Sequence, residues 1–181
     1  GLATGIAEKR FVDMYSENDR RKSFYLKSDD GATFYNDKYN VLGYQWWQSD
    51  KAGCFMPFRL AEMYLIKAEA ACRMGDAATG AETLRAFKAS RYTTTQNVPA
   101  GADDVLKEVL MERKREFYLE NDMIWLDMKR LGERLERTIN GLTVVLEPND
   151  FRYAFPIPQK EMERNKKMVQ NPGWEKVLFI N

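Results

Sequence analysis

Two long amphipathic runs separated by one short turn most constrain how this chain can fold. The first run, "RLAEMYLIKAEAACRMG", ends at Gly75, a residue typical of the position just past a helix C-terminus. Asp76 follows at once and suits the N-cap of the second run, "AATGAETLRAFKASRY". Helices joined by so short a turn pack antiparallel, so the sequence predicts a helical hairpin.

The apolar residues of these runs predict which faces meet. We expect the first helix to direct one amphipathic stripe into the core: Leu60, Met63, Tyr64, Ile66, Ala68 and Ala71. Small residues would let the two backbones approach closely: Ala68, Ala71, Ala78 and Ala81.

A second pair of helices follows a polar linker. "DDVLKEVLMERKREFYLE" carries apolar residues at helical spacing and would be capped by Asp103 or Asp104, and "NDMIWLDMKRLG" ends at Gly132. Two consecutive hairpins over residues 58–132 indicate a bundle-like or solenoid-like scaffold.

The flanking segments are less regular. Residues 6–16 predict a short helix, and Asp29-Asp30-Gly31 between aromatic runs predicts a β-hairpin. We expect an irregular loop at 39–57, a helical turn followed by a strand at 142–146, and a helical turn at 159–165. The predicted fold is mostly α, with irregular loops and a short β-hairpin. It forms a single domain, 1–181, made of a hairpin and aromatic loop (6–57), helical hairpins (58–132) and a closing tail (133–181).

Composition excludes several classes of function. The 28 Lys and Arg residues nearly balance the 27 Asp and Glu residues, which leaves no field to gather nucleic acid. Histidine is absent, so this chain alone has no Ser–His or Cys–His nucleophile pair. Cys54 and Cys72 lack metal-site spacing, and we expect two free thiols. We expect no cofactor, no metal and no catalytic residue.

The charged helix residues allow two interpretations. They are Glu62, Glu69, Glu112, Arg113, Arg115, Glu116 and Glu120. A carboxylate pair across a cleft would suit glycoside hydrolysis. Salt bridges that fix helix register are favoured, because Arg59–Glu62, Glu112–Arg115 and Asp127–Arg130 already have the helical spacing of such pairs. For Arg20 and Arg21, we expect a solvated face.

Three ordered blocks resemble the C-terminal part of the SusD/RagB family. The first is Glu112-Arg113-Lys114-Arg115-Glu116 with Glu120, and the second is Trp125-Leu126-Asp127 with Lys129-Arg130. The third is the "FPIP" to "QNPGW" stretch from Phe155 to Trp174. Asp19-Arg20-Arg21 also resembles the aspartate–arginine pair of that family.

The resemblance implies tetratricopeptide-like helical hairpins and a non-catalytic nutrient-binding lipoprotein of the Bacteroidetes cell surface. Such a protein would pass oligosaccharide to a SusC-like TonB-dependent outer-membrane barrel. A lipid anchor is expected on an N-terminal part missing from this chain. Peptide is the rival ligand, and a helical-repeat protein-interaction scaffold is the rival class of function.

The aromatic loop at 39–57 is the predicted binding site. Aromatic faces stack on the apolar face of a sugar ring, and amides hydrogen-bond its hydroxyls. The predicted ligand-binding residues are Tyr39, Tyr44, Trp46, Trp47 and Gln48. The alternative is that these rings only pin the loop onto the helices.

Pro156 and Pro158 stiffen the tail. Because proline fixes φ and lacks an amide donor, the "FPIP" segment should be extended. We expect it to act as a clamp, with Phe155 and Ile157 inserted into a groove between helices, rather than as a functional loop.

Overall fold

The computed structural model describes most of the chain and divides into two compact units. The residues described are 6–7, 9–27, 34–36, 38, 57–120, 122–139 and 142–176. Unit 1 is Gly1–Ile124 and unit 2 is Trp125–Asn181. Compact units are not domains by themselves, so a single domain over 1–181 stays a prediction.

The mostly helical fold is confirmed. The helices are α1 (Lys9–Val12), α2 (Leu60–Arg73), α3 (Ala77–Arg91), α4 (Ala102–Phe117), α5 (Met123–Leu131) and α6 (Gln159–Arg164). The strands are β1 (Ile6–Ala7), β2 (Tyr25–Lys27), β3 (Phe34–Asn36), β4 (Leu135–Ile139) and β5 (Leu142–Leu146). Within the described residues, three 3₁₀ turns lie at Arg20–Phe24, Phe151–Tyr153 and Trp174–Lys176.

The predicted helical hairpin of α2 and α3 forms the centre of unit 1. The Asp76 side chain accepts a hydrogen bond from the Thr79 amide at 3.0 Å, which caps α3 as expected. Helix α4 packs on both helices. Together they enclose a core of Ala61, Leu65, Ala68, Cys72, Ala81, Leu84, Phe87, Val105, Val109 and Phe117.

Ala68 of the predicted core stripe of α2 is buried as expected, but the rest of the buried face lies to one side of the predicted stripe. Leu60 is 72% exposed, and Met63, Tyr64 and Ile66 are also exposed. The face that packs on α3 and α4 instead carries Ala61, Leu65, Ala68, Glu69 and Cys72. Helix α2 is apolar on two faces, so periodicity alone could not show which one meets its neighbours.

Two local predictions also need correction. Ala78 is exposed, and the close approach of α2 and α3 occurs instead at buried Gly80, opposite Cys72. Gly101 is the N-cap of α4 and makes no side-chain cap bond, so neither Asp103 nor Asp104 caps it. Both aspartates lie in the first turn, where they interact favourably with the helix dipole.

A small antiparallel sheet confirms the predicted β-hairpin. Strand β3 pairs with β2, with Leu26 opposite Tyr35, and on its other side with β1. Because β1 occupies Ile6–Ala7, the helix predicted for 6–16 is reduced to α1. The turn at Asp29-Asp30-Gly31 lies outside the described residues.

Unit 2 contains a second antiparallel pair that the sequence analysis found only in part. Strand β5 is confirmed, but β4 occupies the segment where a helical turn was predicted. The two strands pair from Leu135 opposite Leu146 to Ile139 opposite Leu142. The Asn140-Gly141 dipeptide between them is a strong sequence signal for a hairpin.

The "FPIP" segment is extended, as the prolines predict, but it lies along the tail. The Ile157 amide donates to Gln170 Oε1 at 2.8 Å, and Gln170 Nε2 donates to the Ile157 carbonyl at 2.9 Å. Asn171 Nδ2 donates to the Phe155 carbonyl at 2.7 Å. Phe155 is 74% exposed and stacks on Trp125 with ring centroids 6.0 Å apart. The predicted insertion of Phe155 into a groove is therefore wrong, because the segment bonds to residues 170–171 instead.

Candidate functional site

The residues of the predicted aromatic site are outside the part of the chain that the structure describes. They are Tyr39, Tyr44, Trp46, Trp47 and Gln48. Their role in ligand binding stays a prediction.

A buried ion network is the main polar feature of unit 1. Glu112, Glu116 and Glu120 follow one another at intervals of four residues, so the first two lie on one face of α4 and the third lies three residues after its end. All three are almost completely buried. Buried carboxylates need charged and hydrogen-bonding partners, and these come from several separate segments of unit 1.

Arg21 joins the N-terminal segment to α4. Its guanidinium binds both carboxylate oxygens of Asp19, at 2.9 and 2.8 Å. It also donates to Glu112 at 2.7 Å and to Glu116 at 3.2 Å. Arg21 is 2% exposed, so the expectation of a solvated face is wrong for Arg21, whereas Arg20 is exposed.

Arginines before α2 and at the end of α3 reach the same carboxylates. Arg59 donates to Glu116 at 2.8 Å and to both oxygens of Glu120 at 2.9 Å. Arg91 makes a bidentate pair with Glu116 through two 2.9 Å bonds. Arg59 therefore pairs with distant glutamates rather than with Glu62, its predicted partner.

Further contacts satisfy Glu112 and Glu120. Arg115 donates to Glu112 at 2.7 Å, as its spacing predicts, and the Tyr92 hydroxyl donates to the same carboxylate at 2.5 Å. Lys38 donates to Glu120.

Protonation in the network follows from burial and pairing. Burial alone would raise the pKa of Glu116, but hydrogen bonds and charge from Arg91 and Arg59, with the charge of Arg21, lower it to about 2. Burial acts to lower the pKa of Arg21. Hydrogen bonds and negative charge from Asp19 and Glu112 outweigh burial, so the pKa of Arg21 is raised overall. Burial lowers the pKa of Lys38. The carboxylate of Glu116 is thus held ionised.

This geometry favours the structural interpretation of the helix charges. Glu112 and Glu116 are enclosed by cations, whereas glycoside hydrolysis needs carboxylates that face a substrate. Asp127 and Arg130 form their predicted pair at 2.8 Å, and Arg73 pairs with Glu69 at 2.9 Å. The network joins segments distant in sequence and fixes their register.

An open cavity of about 450 Å³ lies within unit 2. It lies between α5, the turn after β5 and residues 171–172. Its lining includes Met128, Lys129, Asn149, Phe151, Asn171 and Pro172. No function was predicted for these residues. The available sequence signal was Phe151, which directly follows the turn-forming "EPND".

Two further observations concern ions and membranes. Over the described ranges, no group of three or more His, Cys, Asp and Glu side chains could hold a metal ion. None of the helices that the structure describes combines the length and apolar character needed to cross a bilayer. Cys72 is buried and free, while Cys54 lies outside the described residues.

Comparison with known proteins identifies the relatives of this chain. The SusD family model matches residues 32–174. The starch-binding protein SusD of Bacteroides thetaiotaomicron is 35% identical over 127 residues, which cover 65% of this chain. That match spans 21% of the relative's length.

Solved structures share the fold. A SusD superfamily protein from Bacteroides vulgatus superposes with a TM-score of 0.75 at 24% identity, over 91% of this chain and 38% of its own. A SusD-like carbohydrate binding protein from the same species gives a TM-score of 0.63 at 20% identity, over 87% and 40% of the two chains.

The fold and the buried network define a mostly helical scaffold whose hairpins are held together by internal ion pairs. The family match covers most of such a scaffold, from residue 32, just before β3, to Trp174. The chain belongs to the SusD family, which confirms the resemblance found from its sequence.

Proposed function

We propose that this chain is part of a non-catalytic protein that binds oligosaccharide at the cell surface. The observation that carries the proposal is its 35% identity to a starch-binding protein of the same family. The near-zero net charge agrees with a ligand held by stacking and hydrogen bonds rather than by ion pairs.

Further elements of the proposal come from the family resemblance. The protein is surface-exposed at the outer membrane, with its lipid anchor on a part of the protein outside this chain. It passes its ligand to a SusC-like TonB-dependent barrel. In this proposal, the aromatic loop with Trp46 and Trp47 supplies stacking surfaces.

Native gels that contain soluble polysaccharides test the binding. We expect the wild-type chain to be retarded in one glycan, and the Trp46→Ala/Trp47→Ala variant to migrate as in a gel without glycan. Phe58→Ala is the matched control, because Phe58 is an exposed aromatic residue outside the loop. Circular dichroism would verify that each variant keeps its helices.

Two outcomes count against the proposal. No retardation in any polysaccharide would contradict glycan binding by this chain. Equal loss in the loop variant and in Phe58→Ala would indicate nonspecific adhesion of exposed aromatic rings. A matching screen of peptides then tests the rival ligand.

A protein-interaction scaffold is the second candidate, and one observation favours it. Leu60, Met63 and Tyr64 form an exposed apolar face on α2, to one side of the face that packs in the core. Exposed apolar patches are typical of protein contacts. If this candidate is right, Met63→Asp abolishes binding to a protein partner and leaves glycan retardation unchanged.

A further inference from the structure

The cavity of unit 2 has the chemistry of a saccharide site and no assigned role. At about 450 Å³, it lies within the range of small-molecule sites. Phe151, Met128 and Pro172 contribute apolar surface. Asn149 contributes an amide, which carries both donors and acceptors, while the Asn171 amide already donates to the Phe155 carbonyl. That mixture matches a sugar ring, which has an apolar face and a rim of hydroxyl groups.

The charges of the lining favour a neutral ligand. Asp150 is the acidic residue of the lining, and Arg152 already neutralises it: Oδ1 accepts from Arg152 Nε at 2.9 Å and Oδ2 from Arg152 Nη2 at 2.7 Å. This pairing, with the Arg152 amide bond, lowers the pKa of Asp150 to about 2. Lys129 adds one ammonium group, which can donate to hydroxyls.

The position of the Phe151 ring is fixed before any ligand arrives. Trp174 meets it edge-on, with ring centroids 5.1 Å apart. Gly173, at φ +90°, lies so close that a Cβ there would be 2.4 Å from Phe151 Cγ. A ring held in this way loses little side-chain entropy on stacking.

The backbone around the cavity is also held by hydrogen bonds. Trp174 Nε1 donates to the Ala154 carbonyl and the Tyr153 hydroxyl to the Glu133 carbonyl, both at 2.7 Å. Arg152 Nη2 donates to the Val145 carbonyl at 2.8 Å, which ties the turn to β5. The site is thus pre-organised rather than formed by the ligand.

We propose that this cavity is a binding subsite for a neutral saccharide, with the sugar stacked on Phe151 and hydrogen-bonded by Asn149 and Lys129. The inference rests on the proposed glycan binding and adds a location separate from the aromatic loop. It assigns to the closing tail a role in ligand binding as well as in folding.

Isothermal titration calorimetry with four probes tests the subsite: maltoheptaose, xylohexaose, mannohexaose and an acidic galacturonate oligomer. We expect one neutral probe to bind the wild-type chain and to bind Phe151→Leu about tenfold more weakly, since stacking is lost. Phe151→Tyr keeps the ring and should bind as the wild type does. Phe155→Leu is the matched control, because Phe155 is an exposed ring of the same tail outside the lining.

A second variant, Asn149→Gly, tests the same cavity independently, in case Phe151→Leu has a folding defect. Asn149 has φ +64°, so Asn149→Gly removes the amide while glycine accepts that backbone conformation. Binding that is unchanged in both Phe151→Leu and Asn149→Gly overturns the subsite and leaves the proposed function intact. Binding of the acidic probe alone overturns the neutral-ligand inference, and no binding of any probe overturns both proposals for this chain.

Discussion

Glu116 lies where three arginines from three segments meet. Arg21 approaches from the N-terminal region, Arg59 from the start of α2 and Arg91 from the end of α3. Their pairing lowers the pKa of the carboxyl from 4.5 to about 2, despite a burial that acts in the opposite direction. Proton binding to Glu116 is therefore coupled to the contact of these segments.

This coupling predicts how stability depends on pH. Because the folded pKa is depressed, Glu116 stabilises the fold fully above pH 4.5, its ordinary pKa, and loses that contribution as pH falls towards about 2. Urea unfolding followed by circular dichroism at several pH values across this window should show a falling midpoint. In Glu116→Gln, the urea midpoint should fall less between pH 4.5 and about 2 than it does in the wild type.

Glu116→Gln should also be less stable than the wild type at neutral pH. It leaves arginines buried without their carboxylate, which typically costs about 3–5 kcal/mol. Glu161→Gln is the control, since Glu161 and Arg164 are both exposed and such pairs contribute about 0–1 kcal/mol. An acid transition that keeps its shape in Glu116→Gln would show that other carboxyls govern it.

At the scale of elements, the contact between α2 and α3 depends on a glycine. Gly80 lies inside α3, where glycine normally costs roughly 0.5–1 kcal/mol relative to alanine. Here a Cβ would lie 2.4 Å from Cys72 Sγ and 3.3 Å from the Ala68 carbonyl oxygen. The absent side chain is what allows the two helices to approach so closely.

Gly80→Ala should therefore destabilise the protein instead of stabilising it. We expect a loss of about 1–3 kcal/mol from overpacking, measured by urea unfolding. Cys72→Ala in the same chain removes the blocking sulfur and should recover much of that loss, which a double-mutant cycle would detect. Independent, additive effects of the two substitutions would contradict the close contact.

The sequence predicted elements better than it predicted their faces and partners. The stop at Gly75 and the cap at Asp76 located the hairpin, because both signals are local. The face of α2 was misassigned, because Leu60 and Leu65 are equally apolar and only the packing of α3 and α4 distinguishes them.

The ion network shows the same limit for side-chain partners. Helical spacing found Glu112–Arg115, but it also suggested Glu62 for Arg59, whose partners lie 57 and 61 residues away. Spacing identifies only neighbours on one helix. The cavity was missed for a related reason: its lining comes from segments between Met128 and Pro172 that no single motif joins.

At the scale of the whole molecule, residues 155–176 form the segment of the tail that contacts several other elements. Residues 155–176 belong to unit 2 and contact the rest of that unit through the side chains of Phe155 and Trp174. Trp174 packs against Phe151 and donates to the Ala154 carbonyl, and Phe155 stacks on Trp125. Trp125 also contacts Tyr153, so the start of unit 2 and the segment around Phe155 share one aromatic cluster, while Phe151 and Trp174 form a second ring pair.

This arrangement keeps the clamp interpretation of the tail, through Trp174 rather than through an inserted Phe155. Deletion of residues 155–181 should unfold unit 2 or make the protein aggregate, because it exposes Phe151 and Trp125. Trp174→Ala should cost about 2–3 kcal/mol, less than the loss of a fully buried tryptophan. Val169→Ala, at an exposed position of the same tail, should change little. Thermal unfolding measures all three, and a melting temperature that survives the deletion unchanged would mean that the tail does not hold the fold together.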